Sequence, residues 1–418
     1  MRDTMTLRIG GREIVIESGK LLRSMDTCAD AFTAVMPWNP GEDAELDKLT
    51  APYSYSPCEI YMGGALESKQ ILYNVQHKRD GSGSIKELSA FSKTADIIDS
   101  TVLPPYEANN ISLTDRCKQQ CEPHGIEVVI GDGVNLLKPR TVTTGKWVPA
   151  KSTPLTRVEI MTANGFIETL PLAEKTVETK GYYKITGKKT VFEEMKFARV
   201  SAEQTDTIFE HLKKIAAQRG LLLSCTWDGN LLITRANTED KPIGTIEEGD
   251  ANAENYVADY NGRNRYRYYR AIATSSRKGR TAKTGVTEDS VLKSQRYLTF
   301  RADENIPGEA LNSAEWRRNK SAAEAMTIQF PVSSWYGPDG KLWRPNTQIT
   351  VVSPTIGLQS GYTLLITSVE FTFDSSGSRA SLGLKPPSLY TNGEIGAEPW
   401  LAEQQAGAGA GATQGVAV

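Results

Sequence analysis

Along the first hundred residues the apolar positions fall in short runs. Thr6 to Ile9, Arg12 to Ile16, Glu59 to Met62 and Ile71 to Gln76 are β-prone and bounded by Gly, Pro, Asn or Ser. The cluster Asp80-Gly81-Ser82-Gly83-Ser84 predicts a turn leading into a further run from Ile85. Lys93 to Asp99, with Ala95, Ile97 and Ile98, predicts a short helix closing this unit, and Pro104-Pro105 marks its boundary.

The spacing then becomes helical. Ser112 is placed to cap a helix running to about Cys121, with Leu113, Cys117 and Cys121 at intervals of four, and Pro123 and Gly125 end it. A second helix is expected from the capping-box spacing Ser201-Ala202-Glu203-Gln204, with Ile208, Leu212 and Ile215 as its apolar stripe and Gly220 at its C-terminus. Leu221 to Trp227 and Asn230 to Thr234 flank Asp228-Gly229, a strong hairpin signal. Between the helices, Arg157 to Thr162 and Phe166 to Leu170 flank Ala163-Asn164-Gly165, and Tyr182 to Thr186 and Thr190 to Phe192 flank Gly187-Lys188-Lys189. Residues ~133–196 therefore read as an all-β insertion, entered through Pro139, Pro149 and Pro154.

Beyond residue 240, the acidic stretch from Glu239-Asp240 to Asp250 reads as an exposed linker. Arg265 to Thr274 predicts a strand, Gly279 to Gly285 a basic loop and Gly308 to Met326 a helix. Thr327 to Val332, Thr347 to Val352, Tyr362 to Phe373 and Ala380 to Leu384 predict strands, with turns at Asp339-Gly340 and Ser375-Ser376-Gly377. From Thr391 the chain is Gly/Ala/Gln-rich and lacks the apolar residues to order itself. The fold class is mainly β with an α+β middle.

Composition narrows the function. A chain of 418 residues is too long for one ordinary core. Lys plus Arg number 48 against 50 acids, a net charge of -2, which argues against bulk capture of nucleic acid or anionic membrane. Hydrophobic residues at 39% suffice for packed domains. No stretch approaches the ~20 apolar residues of a membrane span. Met1 to Gly10 lacks the apolar core of a signal peptide, so a cytoplasmic origin is expected. Cys28, Cys58, Cys117, Cys121 and Cys225 form an odd, scattered set that reads as reduced thiols.

Candidate chemistry is sparse. Of the three histidines, His211 is expected on the solvated face of the second helix, with His77 and His124 the others. Cys117, Cys121 and His124 give Cys-x3-Cys-x2-His, but zinc wants a fourth ligand and no second pair lies nearby; cysteines on an apolar stripe are more often small core residues. No nucleophile elbow, zincin or phosphate-loop motif occurs. Glu193-Glu194 and Glu247-Glu248 read as solvated acids rather than a glycosidase pair. Neither a catalytic residue, a cofactor nor a metal is expected. The segment Arg263 to Arg270 interleaves cations with tyrosines. It fits a half-buried strand with one charged face, and Arg and Tyr also suit a protein interface. Arg263, Arg265 and Arg267, with Trp335 and Trp343, are the candidate interface residues.

The order of these units resembles the baseplate hub of Mu-like contractile-tailed phages, a fold related to the T-even phage hub and to the hub part of type VI secretion spikes. The resemblance is carried by Ser92 to Asp99, by Asn110 to Val128, by Thr205 to Ile233, and by Trp335-Tyr336-Gly337-Pro338-Asp339-Gly340-Lys341-Leu342-Trp343-Arg344-Pro345-Asn346 with Leu364 to Leu384 after it. It covers roughly residues 1–130 and 197–388; the 133–196 insertion and the Gly/Ala tail depart from it. It implies a first tube-like β-barrel in residues 1–105, a two-helix α+β domain in 106–240 and a second tube-like barrel in 241–390; the insertion falls within the middle domain, and composition makes 391–418 a disordered tail. It further implies a homotrimeric, non-enzymatic virion protein, assembled in the host cytoplasm, that joins the hexameric tail tube to a trimeric central spike. Wedge proteins would contact it and DNA would pass through its channel. Two other classes compete: a tail-associated peptidoglycan hydrolase, and a nucleic-acid-binding protein using the Arg/Tyr strand.

Overall fold

A computed structural model describes residues 4–79, 83–149, 151–155, 158–161, 167–170, 175–179, 182–249, 256–273, 284–302 and 309–387. Most of the expected turn at 80–84, most of the basic loop at 279–285 and the 391–418 tail lie outside the described residues. The chain folds as two compact units, one of Met1–Val134 with Phe197–Val418 and one of Asn135–Lys196.

The first strand set comprises β1 (Met5–Ile9), β2 (Arg12–Ile14), β3 (Ser18–Ser24), β4 (Ala31–Pro37), β5 (Pro57–Met62), β6 (Ala65–Arg79) and β7 (Ser84–Phe91), ordered β2-β1-β5-β6-β7-β4-β3. Phe32, Ala34 and Met36 of β4 point into the core while Thr33 is exposed, the period-two alternation of a half-buried strand. Helix α1 (Ala44–Leu49) is capped by Asp43, which accepts from Leu46 N–H and pairs with Arg12. The buried Lys86 ammonium of β7 donates to Asp47 (3.1 Å) and Thr50 (2.7 Å) and lies 4.2 Å from the Trp38 ring centre. Helix α2 (Ala95–Asp99) closes the set, within the segment expected to be helical.

The middle of the chain holds β8 (Glu107–Ser112), α3 (Leu113–Cys121) and β9 (Val128–Ile130). Ser112 caps α3, its hydroxyl accepting from Asp115 N–H, as the sequence predicts. The compact unit Asn135–Lys196 is built of β10 (Leu137–Val148), β11 (Lys151–Leu155), β12 (Val158–Met161), β13 (Ile167–Leu170), β14 (Lys175–Thr179) and β15 (Tyr182–Glu194). β12 pairs antiparallel with β13, as expected, while the turn expected between them at Ala163-Asn164-Gly165 lies outside the described residues. The hairpin expected at Gly187-Lys188-Lys189 is instead one long strand, β15, laddered on β10 with a bulge at Thr144/Gly145. The partner strand held it extended through the glycine.

Then come β16 (Lys196–Ser201), α4 (Ile208–Ala217), β17 (Leu222–Cys225) and β18 (Leu231–Thr234). The cap of α4 is Thr207, not Ser201, which ends a strand paired with β8. β17 and β18 form the expected hairpin, with Gly229 at φ 80° in the turn, and β9 joins β18 in parallel.

The last third carries β19 (Thr245–Glu247), β20 (Val257–Tyr260), β21 (Tyr268–Ala273), β22 (Thr284–Glu288), β23 (Tyr297–Ala302), α5 (Glu309–Glu324), β24 (Met326–Val332), β25 (Gln348–Ser353), β26 (Leu358–Asp374) and β27 (Gly377–Lys385). The acidic stretch read as linker is partly strand: β19 pairs in parallel with β25, and Glu248 accepts from Ser353 (2.8 Å) and Thr355 N–H (3.0 Å). These hydrogen bonds, the Thr355 hydroxyl first, hold its carboxyl down at about 2. β21–β23 form a separate sheet against α5, approached so closely at Gly285 that a Cβ would collide with the backbone of Ala310 and Leu311.

β24, β26 and β27 continue the first set, because β26 pairs antiparallel with β3. A thirteen-stranded sheet results, running β2-β1-β5-β6-β7-β4-β3-β26-β27-β24-β20 with β25 and β19 branching off β26. Its described strands form an open ladder, where the resemblance implied two tube-like barrels.

Within it one strand plan occurs twice, register for register. A bulge falls between Leu72↔Ala90 and Asn74↔Ser89 in β6–β7, and another between Ile366↔Leu384 and Ser368↔Gly383 in β26–β27. Aligned on those bulges, Thr33↔Ser89 matches Gln329↔Gly383, Cys58↔Gln70 matches Ile349↔Leu364, and Leu21↔Phe32 matches Ala258↔Ile328. Thus β3-β4-β7-β6-β5 is repeated as β20-β24-β27-β26-β25. Equivalent positions are buried alike: Ala34 and Phe330, Ile60 and Val351, Leu72 and Ile366, Leu88 and Leu382 all belong to one hydrophobic core.

Candidate assembly surface

The register fixes which side chains share a face, since opposed residues point the same way. Ala90, Phe32, Leu21, Phe371 and Ala380 form one cross-strand row, all buried. On the opposite face Asn74, Ser89, Thr33, Lys20, Thr372 and Arg379 form a row across β6, β7, β4, β3, β26 and β27. None of the six is buried. Lys20 pairs with Glu370 (2.8 Å), Arg379 with Asp374 (2.6 Å) and, beside the row, Lys78 with Glu87 (2.6 Å). Exposed pairs add only about 0–1 kcal/mol each to stability. Their effect here is to level the potential over a hydroxyl- and amide-rich surface.

The residues expected at an interface divide. Trp335 and Trp343 lie inside the chain: Trp335 is 0% exposed, donates from Nε1 to the Arg379 carbonyl (2.9 Å) and meets Phe371 edge-on, and Trp343 donates to the Ser334 carbonyl (3.0 Å). They pin the Trp335–Trp343 turn to the sheet. Arg265 is not on a strand; it follows a 3-10 turn, Gly262–Asn264, and is buried in a two-pronged ion pair with Asp289 at 2.6 and 3.2 Å. Arg263 is exposed, and Arg267 pairs with Glu288 (2.8 Å). The outward face of β21–β23 instead presents Arg270 and Arg301 with a stacked Tyr268–Tyr297 pair, ring centres 4.8 Å apart. Arg270 and Tyr268 stood within the cation–tyrosine segment, but Tyr297 and Arg301 did not, because β23 reaches them only through parallel pairing with β21.

Elsewhere, polar groups are tied into structure. His211, expected on a solvated face, is 2% exposed, because α4 is packed by α2, α3 and β17 together. Its Nε2 accepts from Arg116 Nε (3.2 Å), so the neutral ring carries its proton on Nδ1. Burial, then the Arg116 charge, lowers its pKa to about 4. Cys117 and Cys121 are buried on α3, with the Cys121 thiol pushed up to about 12 by burial. Among the described residues no three His, Cys, Asp or Glu side chains gather as a metal would need.

A cavity of about 430 Å³ lies beside the Asp-Gly hairpin, lined in part by Arg23, Asp30, Glu67, Cys225, Trp227 and Arg344. Arg23 bridges Asp30 (3.2 Å) and Glu67 (3.1 Å), and the Cys225 thiol donates to Asp30 (3.3 Å). The cation is shared between two carboxylates from different segments, an arrangement that joins β3, β6 and β17.

This topology is a fold found in solved tail proteins and in a VgrG complex. It superposes on a 43 kDa tail protein of prophage MuSo2 from Shewanella oneidensis (TM-score 0.67, 22% identity, 93% of this chain and 99% of that one). It matches a tail protein from Neisseria meningitidis MC58 nearly as well (TM-score 0.68, 16% identity, 93% and 98%). A Francisella PdpA-VgrG complex follows at TM-score 0.53 and 9% identity, covering 95% of this chain and 60% of that one. In sequence, residues 306–392 match the family model described as Mu phage baseplate assembly protein GpP, fourth domain. Over 201 residues the chain is 20% identical to baseplate hub protein gp44 of Escherichia phage Mu, covering 46% of this chain and 52% of that protein. The chain thus spans about half the length of the curated relative it matches. The resemblance read from the sequence, to the Mu-like baseplate hub, is borne out.

Proposed function

We propose that this protein is a structural component of a phage virion, the homotrimeric hub of a contractile-tail baseplate. It joins the hexameric tail tube to the central trimeric spike and surrounds the channel through which DNA passes. The observation that carries this is the strand plan present twice in one register. Three copies of a chain holding two equivalent modules present six, so a threefold object meets a sixfold one without a change of symmetry at the joint. These two modules fall within residues 1–105 and 241–390, the segments for which barrels were implied, on either side in sequence of the 106–240 domain.

The polar face of the joined sheet is the channel lining in this reading. Lys20, Lys78 and Arg379 on it each hold a carboxylate partner, which lowers the positive potential that passing phosphates meet. Arg263 and Arg267, with the outward face of β21–β23, contact neighbouring subunits or wedge proteins, and the 135–196 unit contacts other baseplate proteins. The protein has no catalytic role, the likeness to structural tail proteins supporting this.

Light scattering and electron microscopy of the purified chain test the reading. A threefold ring with a pseudo-sixfold face is expected, and a monomer would sink it. Clearing of peptidoglycan in a zymogram would favour the hydrolase class instead. Salt-dependent DNA retention lost with Arg270→Ala and Arg301→Ala would favour nucleic-acid binding.

A further inference from the structure

We infer that the copies join edge to edge, β20 of one chain pairing antiparallel with residues 75–78 of β6 in the next; this rests on the trimer reading. Inside the chain, the two modules are joined by β3 on the part of β26 that extends beyond β25, with Leu21 opposite Phe371 and Lys20 opposite Thr372. The repeated plan makes β20 the equivalent of β3, and residues 74–79 of β6 the equivalent of 368–373 of β26. The second module ends on β20, where the strand order stops. On the first module, β5 pairs with β6 only as far as Ile71, and among the described residues no strand lies along that side of 74–79. An edge of this kind is a template for a further strand. The molecule therefore carries one joint already made and the two halves of a second joint at different places on its surface. Such a head-to-tail contact closes into a ring when its rotation is a whole fraction of a turn, a third for three copies.

Transferring the internal register places Val257 opposite Lys78, Ala258 opposite His77 and Asp259 opposite Gln76 of the neighbouring copy. The chemistry fits those places. Gln76, His77 and Lys78 are exposed, and Val257 is 66% exposed although it is apolar. His77 occupies the position of the buried Phe371, and a tryptophan just beyond the preceding strand lies against each: Trp38 at 4.7 Å from His77, Trp335 at 6.3 Å from Phe371. Asp259 would lie diagonal to Lys78, setting a second carboxylate beside an ammonium that already pairs with Glu87.

Paired cysteines read the register directly. The variant carrying His77→Cys and Ala258→Cys, treated with a mild oxidant or a short bis-maleimide, is expected to run as a three-chain species without reductant. The second matched pair, Gln76→Cys with Asp259→Cys, tests the other face and is expected to do the same. His77→Cys with Asp259→Cys sets the thiols on opposite faces and is expected to stay at the level of the single variants, which also account for Cys225. If light scattering gives a trimer but both matched pairs stay at that background, or the mismatched pair reacts better, the edge pairing is wrong and the hub reading stands. A monomer would overturn both.

Discussion

Arg265→Ala separates two roles for the residue that the sequence offered as an interface contact. The guanidinium is 8% and its partner carboxylate 1% exposed, and two hydrogen bonds of 2.6 and 3.2 Å join them. Asp289 also accepts from Val291 N–H (3.2 Å). Removing the arginine leaves a buried carboxylate with that weaker donor and little water. Breaking a buried pair from one side costs about 3–5 kcal/mol, whereas replacing both partners by apolar residues of similar volume is often neutral. Arg265→Ala is therefore expected to loosen the β21–β23 sheet, and Arg265→Met with Asp289→Leu to recover most of the loss. Hydrogen exchange of the β21–β23 amides is the appropriate assay, because it reads local stability in a chain of more than one unit. At 1.4 kcal/mol per tenfold, protection falls by roughly a hundredfold to a few thousandfold in the single variant. A loss under about 1 kcal/mol, with assembly abolished, would refute the reasoning and return Arg265 to the interface.

Three further outcomes follow from buried groups. His211 is held neutral in the fold, with its pKa lowered from 6.5 to about 4. Between those values the unfolded chain binds a proton that the folded chain refuses, so stability is complete above pH 6.5 and declines as pH falls to about 4, by about 3 kcal/mol in all; in urea titrations His211→Gln is expected to flatten that slope. Trp335→Ala, which empties a fully buried indole site beside Phe371, is expected to cost about 3–5 kcal/mol by the same titrations. Gly285→Ala drives a Cβ into the backbone of Ala310 and Leu311, and is expected to make α5 a site of limited proteolysis while the thirteen-stranded sheet stays protected.

Much of the molecule was legible locally. Ser112 capped the helix it was expected to cap, Asp228-Gly229 made its hairpin, and β21 and the four strands after α5 began within a few residues of their expected places, although β20, β22 and β23 were not expected. Local signals suffice there because a cap or a two-residue turn is decided by the residues that form it. The same signals failed at Ser201, where a strand partner outcompeted a capping box, and at Gly187, where β10 held the chain straight. β3 and β4 escaped notice altogether: Ser18–Ser24 has a single buried leucine, Leu21, and its strand character comes from the neighbours on either side.

The sequence by itself determined the β-rich character, the helices and turns, the near-neutral charge and the resemblance to the Mu-like hub, each a property of residues close together along the chain. Tertiary structure alone decided that Arg265 and His211 are buried, that the tryptophans serve the core, and that one open sheet passes through both modules. The reason is distance along the chain. The joint sets residues 19–24 against 368–373, and no pattern within either segment encodes the register that the other imposes. The repeated plan is hidden for the same reason, because it is written in which residues face each other, and Leu72 and Ile366 share a position without sharing a sequence.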